Sequence, residues 1–301
     1  MKRKLSFIFY IFGGLILFNC LQTPAYAQEN NTDNKVYYTC FISQELAEEA
    51  QQLNIFLSNY FKAFKTNNIN ELKEFYAPDY ISGDGFNKDK VIQLIQESWK
   101  ITPNLNYTAK IEDLRFDKNF ATIEIHEILT GNTKEKSDIT GDNGVVKSVV
   151  RSLFYLRKYG NGWKIVSDKT LYEETSIKYG KAKDLNINLF APEQVFSDKH
   201  YTISLQAEIP ESMLAISSIT KESLTYPKEK PEEIFRQIPT ETKILERFVQ
   251  ANNKSQNELA VAAVSYCSIQ KDSFKTPQID FAGTAILIKR VNVLNLKTLK
   301  N

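Results

Sequence analysis

Histidine, cysteine, tryptophan and methionine are all scarce in this chain of 301 residues, which has two, three, two and two of them. Two histidines, His126 and His200, and cysteines too dispersed for ligand spacing leave no basis for a zinc centre. There is no CxxC redox pair, no phosphate-cradling glycine loop, no dinucleotide fingerprint and no Ser/His/Asp arrangement. Asp138, Asp142 and Asn143 lack both the spacing and the closing glutamate of a helix-loop-helix calcium site. Neither a metal nor a cofactor is expected. Lys and Arg are not clustered, and runs such as Lys228-Glu229-Lys230 alternate in sign, so no nucleic-acid footprint is present.

Long apolar runs are also missing, apart from Leu5 to Phe18. That stretch is too short to span a bilayer comfortably. Lys2, Arg3 and Lys4 precede it, and Ala25-Tyr26-Ala27 follows as a small-x-small site. The pattern predicts a signal peptide over residues 1–27, cleavage after Ala27, and a periplasmic or extracellular protein with no transmembrane segment left. A lipid anchor at Cys20 is the lesser alternative, because Asn19 stands where a small residue is wanted. Without the three leader bases the mature chain holds 35 basic against 36 acidic residues. Two cysteines survive, Cys40 and Cys267. An oxidising compartment allows a bridge between them, with two separate buried thiols as the other reading.

Residues 28–42 read as a polar leader segment. From Ser43 to Thr66, Leu46, Ala50, Leu53, Phe56, Leu57, Tyr60, Phe61 and Phe64 recur at helical spacing. A short second helix is expected over Asn70–Phe75, and a third, capped by Asn87, over Lys88–Lys100. Strands follow at Asn106–Phe116 and Ala121–Leu129. Thr130–Lys147 reads as a long exposed hairpin loop. Val145–Tyr159 and Trp163–Leu171 form a hairpin around Gly160-Asn161-Gly162. Residues 173–183 read as a charged linker. Over 184–295, short apolar segments between prolines suggest a sandwich-like β-rich domain, with short helices at Glu232–Ile238 and Lys243–Asn252.

Within 43–172, three helices lead into a curved antiparallel sheet. Asn59-Tyr60-Phe61-Lys62-Ala63-Phe64 lies on the first helix and Phe75-Tyr76-Ala77-Pro78-Asp79-Tyr80 follows the second. Gly162-Trp163-Lys164-Ile165-Val166 begins the last strand. This resembles the nuclear-transport-factor-2-like superfamily, with its SnoaL-like and ketosteroid-isomerase members. The resemblance covers about residues 44–172 and implies an α+β architecture, a cone of three helices on a curved sheet.

The same resemblance implies that Trp163 and Ile165 point inward; the register taken from them puts Arg151, Leu153 and Tyr155 inside. Tyr60, Tyr80, Trp99, Arg151, Tyr155 and Trp163 then line a pocket for a small amphipathic ligand. The alternative is that the aromatic side chains simply fill the core. Matching to the isomerase pattern sets Tyr60 and Tyr155 at oxyanion-hole positions and Asp84 at the proton-shuttling carboxylate. Asp84 sits in Ser82-Gly83-Asp84-Gly85, which reads as a solvated turn. His126 shares the outer face of its strand with Thr122 and Glu124.

Three functions remain. The first is an exported, non-catalytic module that binds a small ligand or a protein. The second is an isomerase- or dehydratase-type enzyme using Tyr60, Asp84 and Tyr155. The third is a structural or assembly role for the β-rich part.

Overall fold

The computed structural model describes residues 44–117, 119–160, 162–225, 233–270 and 278–295. The expected signal peptide and leader segment, Cys20 and Cys40 lie outside them, and so does the expected disulfide; Cys267 is buried. Helix α1 (Gln44–Lys65) turns Leu53, Phe56, Leu57, Tyr60, Phe61 and Phe64 toward the core. Helix α2 (Ile69–Leu72) starts at Asn68, whose side chain accepts from the Glu71 N–H, and runs into a 3-10 turn over Lys73–Phe75. Helix α3 (Lys88–Ile101) is capped in the same way by Asn87, which accepts from the Lys90 N–H.

Twelve strands follow among the described residues: β1 (Asn106–Phe116), β2 (Phe120–Lys136), β3 (Asn143–Tyr159), β4 (Gly162–Gly180), β5 (Ile187–Phe190), β6 (Gln194–Phe196), β7 (His200–Ala207), β8 (Met213–Ser223), β9 (Phe235–Gln237), β10 (Ile244–Gln250), β11 (Glu258–Gln270) and β12 (Gln278–Leu294). The protein is therefore mostly sheet, with few helices. A nine-stranded sheet runs β1-β2-β3-β4-β12-β11-β8-β9, with β6 pairing alongside β12; a second sheet runs β10-β7-β5. The helices cover the β1–β4 part. One apolar cluster fills the space beneath them and takes in Leu224, Leu259 and Ile288 from the C-terminal half. A second cluster lies around the three-stranded sheet, where Tyr201, Ile203 and Leu205 meet Ala260, Ala262 and Leu287.

Four expectations need correction. Residues 173–180 are not linker: they continue β4, with Glu173, Thr175, Ile177 and Tyr179 buried. The charged composition hid a period of two, and pairing to β3 on one side and β12 on the other makes this the centre of the sheet. The expected long loop at 130–147 is largely strand. Its polar residues replace missing ladder bonds: the Gly144 N–H donates to Thr133 Oγ1 at 2.8 Å and Asn143 Nδ2 to the Thr133 carbonyl at 2.7 Å. The helices expected at 232–238 and 243–252 are β9 and β10, and β10 pairs with β7 along its whole length.

The fourth correction concerns the face of β3. Trp163 and Ile165 are buried, as expected. The tight hairpin pairs Tyr159 with Gly162, so Trp163 lies opposite Lys158 and Ile165 opposite Leu156. Directly opposed residues share a face. The even-numbered residues Val150, Ser152, Phe154 and Leu156 therefore point inward, while Arg151, Leu153 and Tyr155 take the outer face.

Candidate functional site: a filled cone and the junction behind it

Tyr60 stands at the centre of the apolar cluster beneath the helices. Its ring lies 5.5–6.5 Å, centroid to centroid, from those of Phe56, Phe61, Phe75, Tyr76 and Phe154. Its hydroxyl shares a 2.8 Å hydrogen bond with that of Tyr76. Trp99 packs edge-on against Phe64 at 5.2 Å. Tyr76 and Tyr80 meet edge-to-face at 4.9 Å. These T-shaped contacts set the partly positive edge of one ring against the electron-rich face of another. Burial raises the Tyr60, Tyr76 and Tyr80 phenols well above their ordinary values, so all three are neutral.

Two carboxylates join these rings. Tyr107 donates to Glu127 Oε1 at 2.8 Å, and Tyr80 donates to Asp168 Oδ2 at 2.6 Å. Burial pushes Asp168 up to about 6, against the opposing bond from Tyr80. Residue types and alternation made Glu127 findable: it follows Ile123 and Ile125 on the inward face of β2, a lone charge in an apolar series. Asp168 was hidden. A register shift between the Tyr155–Ser167 and Leu156–Ile165 pairs falls just before it, and simple alternation fails there.

Asp84 occupies a tight turn, as its Ser-Gly-Asp-Gly context suggests. Gly85 has φ +82° and its N–H donates to the Ser82 carbonyl at 2.9 Å. The expectation of a solvated carboxylate is wrong, however, for the side chain is only 15% exposed. Arg290 of β12 donates to both its oxygens, at 2.6 and 3.1 Å, and Asn257 Nδ2 donates to Oδ1 at 2.7 Å. Arg290 is itself held by Asn292 Oδ1, 2.8 Å from Nε. A charge in the apolar strand Ala285–Leu294 was the available signal for Arg290.

The structure thus keeps Tyr60, Asp84 and Tyr155 apart. Tyr60 is inside the apolar cluster, Asp84 is committed to β12, and Tyr155 lies across β3 on the other face. Of the expected pocket residues, Tyr60, Tyr80, Trp99 and Trp163 are buried in the apolar cluster beneath the helices. Arg151 instead borders an outer-face cleft of about 490 Å³ with Glu112, Glu124, His126, Tyr172 and Glu193. It pairs loosely there with Glu124 at 3.8 Å and Glu193 at 3.6 Å. His126 lies on this face, as the alternation predicts, 3.9 Å from Glu112. Asp142 serves the fold: burial opposes its ionisation, but Lys183, Thr140 and the Gly180 N–H hold it down to about 2.

No group of histidine, cysteine or acidic side chains suited to a metal ion occurs among the described residues. No helix among them is long and apolar enough to cross a membrane.

No family model and no curated protein matches the sequence. Solved structures similar to the chain include Bd1075 of Bdellovibrio bacteriovorus (12% identity, TM-score 0.35, 43% of this chain and 42% of that one). They also include an NTF2-like family protein of Streptomyces avermitilis (13% identity, TM-score 0.35, 41% and 96%). A third is the hexachlorocyclohexane dehydrochlorinase LinA-type3 of Novosphingobium barchaimii (14% identity, TM-score 0.32, 42% and 88%). The chain spans under half of Bd1075. At these identities and TM-scores nothing about family or activity follows from the neighbours.

Proposed function

We propose that the protein is an exported, non-catalytic interaction module, in which the cone serves as a scaffold and a protein partner is engaged on its outside. The failure of Tyr60, Asp84 and Tyr155 to converge carries this reading. A proton shuttle needs its base and its donors around one reacting atom. Here ring-to-ring contacts occupy the space around Tyr60, and Asp84 is tied to a guanidinium. The apolar surface around β9 and β10 supports a protein partner: Phe248 is 70% exposed and Ile234 and Phe235 are each 47% exposed.

Trp99 and Trp163 are the two tryptophans of the chain, and both are buried in the cone, so their emission reports ligand entry. Titration with a small amphipathic enone is expected to leave that emission unchanged and to give no isomerisation above the buffer rate. A saturable one-to-one emission change would restore the ligand-pocket reading.

One observation favours a second reading, an isomerase- or dehydratase-type enzyme that works through a different carboxylate. Asp168 sits beneath Tyr80 with its acidity weakened to about 6, in the range of a general base. In that case the enone would turn over, and Asp168→Asn would abolish turnover while Asp84→Asn changed it through folding alone.

A further inference from the structure

Four charged side chains interact electrostatically where the turn at 81–86 lies against β4 and β12: Asp84 from the turn, Asp168 and Glu173 from β4, and Arg290 from β12, whose Lys289 pairs with Glu174 of β4. Two neutral side chains, Asn257 and Asn292, complete the surroundings of the ion pair. Three carboxyl groups thus face one guanidinium. Were all of them ionised, two net negative charges would be shut away from water, an arrangement strongly disfavoured without further donors. The donors are unequally shared. Asp84 receives three hydrogen bonds and Asp168 receives the Tyr80 hydroxyl. Glu173 is 4% exposed, and its buried Oε1 has no hydrogen-bond partner among the described residues. A carboxyl group short of donors is where a proton is retained.

We propose that Glu173 is the proton-binding element of a latch joining the 81–86 turn to β4 and β12. Protonated, it leaves Arg290 committed to Asp84, and the turn stays docked. Ionised, it adds a further carboxylate against the same guanidinium, repels Asp84, and loosens the turn. The docked state is marked by backbone bonds from Ile81 to the Val166 carbonyl, 3.2 Å, and from Gly83 to that of Asp168, 2.7 Å.

The acidities agree in direction. Burial, opposed by Arg290 and aided by Asp84, raises Glu173 to about 7. Because the folded value is raised, the stabilisation is complete below the ordinary carboxylate range and is lost as pH rises through about 7.

Hydrogen exchange at the Ile81 and Gly83 amides of the full chain, corrected for intrinsic rates, tests the latch. Between about pH 6 and 8 the wild-type protection is expected to fall about tenfold, one pK unit of linkage. It should stay level in Glu173→Gln, while Asp168→Asn keeps the fall. A level wild-type profile, a fall that persists in Glu173→Gln, or one abolished by Asp168→Asn would each overturn the assignment. If Glu173→Gln does not fold, a carbon-13 titration of the wild-type Glu173 carboxyl decides the matter. A midpoint near 7 supports the latch, and one in the ordinary carboxylate range removes it.

Discussion

Arg290 grips Asp84 through both carboxylate oxygens, at 2.6 and 3.1 Å, across 206 residues of sequence. The pair ties a turn from the helical part of the chain to a strand near its C-terminus. Both side chains are largely sequestered, 3% exposed for Arg290 and 15% for Asp84. A pair in such a place contributes chiefly by penalising the loss of either member.

Arg290→Met alone should destabilise the protein by about 3–5 kcal/mol, because Asp84 would keep a buried charge with no counter-ion. Adding Asp84→Asn should restore most of that loss. Urea unfolding of the four proteins of the cycle measures the coupling. Additive effects of the two substitutions would show that the pair is not a unit.

The face assignment on β3 can be checked by two neighbouring substitutions. Phe154 is 1% exposed and packs against Tyr60 at 6.0 Å, so Phe154→Ala should lower stability by about 3–5 kcal/mol. Tyr155, on the outer face, should lose about 1 kcal/mol or less on Tyr155→Ala. If Tyr155→Ala proves the more damaging, the inward and outward faces have been exchanged.

What could be read from the sequence follows the range of the interactions involved. Helices α1 and α3 were legible, since their apolar spacing and the Asn87 cap are local signals. The β3–β4 hairpin was legible from its glycine turn, yet its register depended on how Tyr159 meets Gly162, and one residue of error exchanged Phe154 for Tyr155. The strand at 173–180 was not legible. Glu173, Glu174 and Lys178 look like linker until β3 and β12 flank them. The candidate site shows the same division. Tyr60, Tyr80, Trp99 and Trp163 reached the cone because ordinary patterning places large apolar side chains inside. Asp84 and Arg290 could not be paired from sequence, for no local rule relates positions so far apart.

Asp168 gives a separate pH signature. Its folded value of about 6 lies above that of an unfolded aspartate, near 4, so the folded state binds the extra proton. Its contribution is complete below about pH 4 and is lost as pH rises through 6. Thermal unfolding midpoints should therefore decline over that interval, and Asp168→Asn should lessen the decline, leaving the share that the raised Glu173 carboxyl contributes. An unchanged slope in the variant would assign the decline to other carboxyl groups.

Two glycines contrast an open turn with a close approach. Both have positive φ, +57° at Gly160 and +54° at Gly180, and ψ of −141° at Gly180 adds a backbone term that glycine alone meets readily. Around Gly160 an added Cβ would meet nothing within 4 Å, whereas at Gly180 it would lie 2.4 Å from the Ala282 carbonyl and 2.8 Å from Thr140 Cγ2. Gly180 also pairs with Gly283, and its N–H donates to both oxygens of Asp142, at 3.0 and 3.2 Å. Gly160→Ala should therefore cost only the backbone term, about 1–2 kcal/mol. Gly180→Ala should exceed it, because β12 or the Asp142 turn must move to admit the methyl group. Such a displacement would break the contact to Asp142, so the same variant should raise the Asp142 carboxyl toward its ordinary value. Urea midpoints give the first comparison and a carbon-13 titration of Asp142 the second. Equal losses at the two glycines, with Asp142 still strongly acidic, would mean that close approach contributes nothing where β4 leaves the sheet.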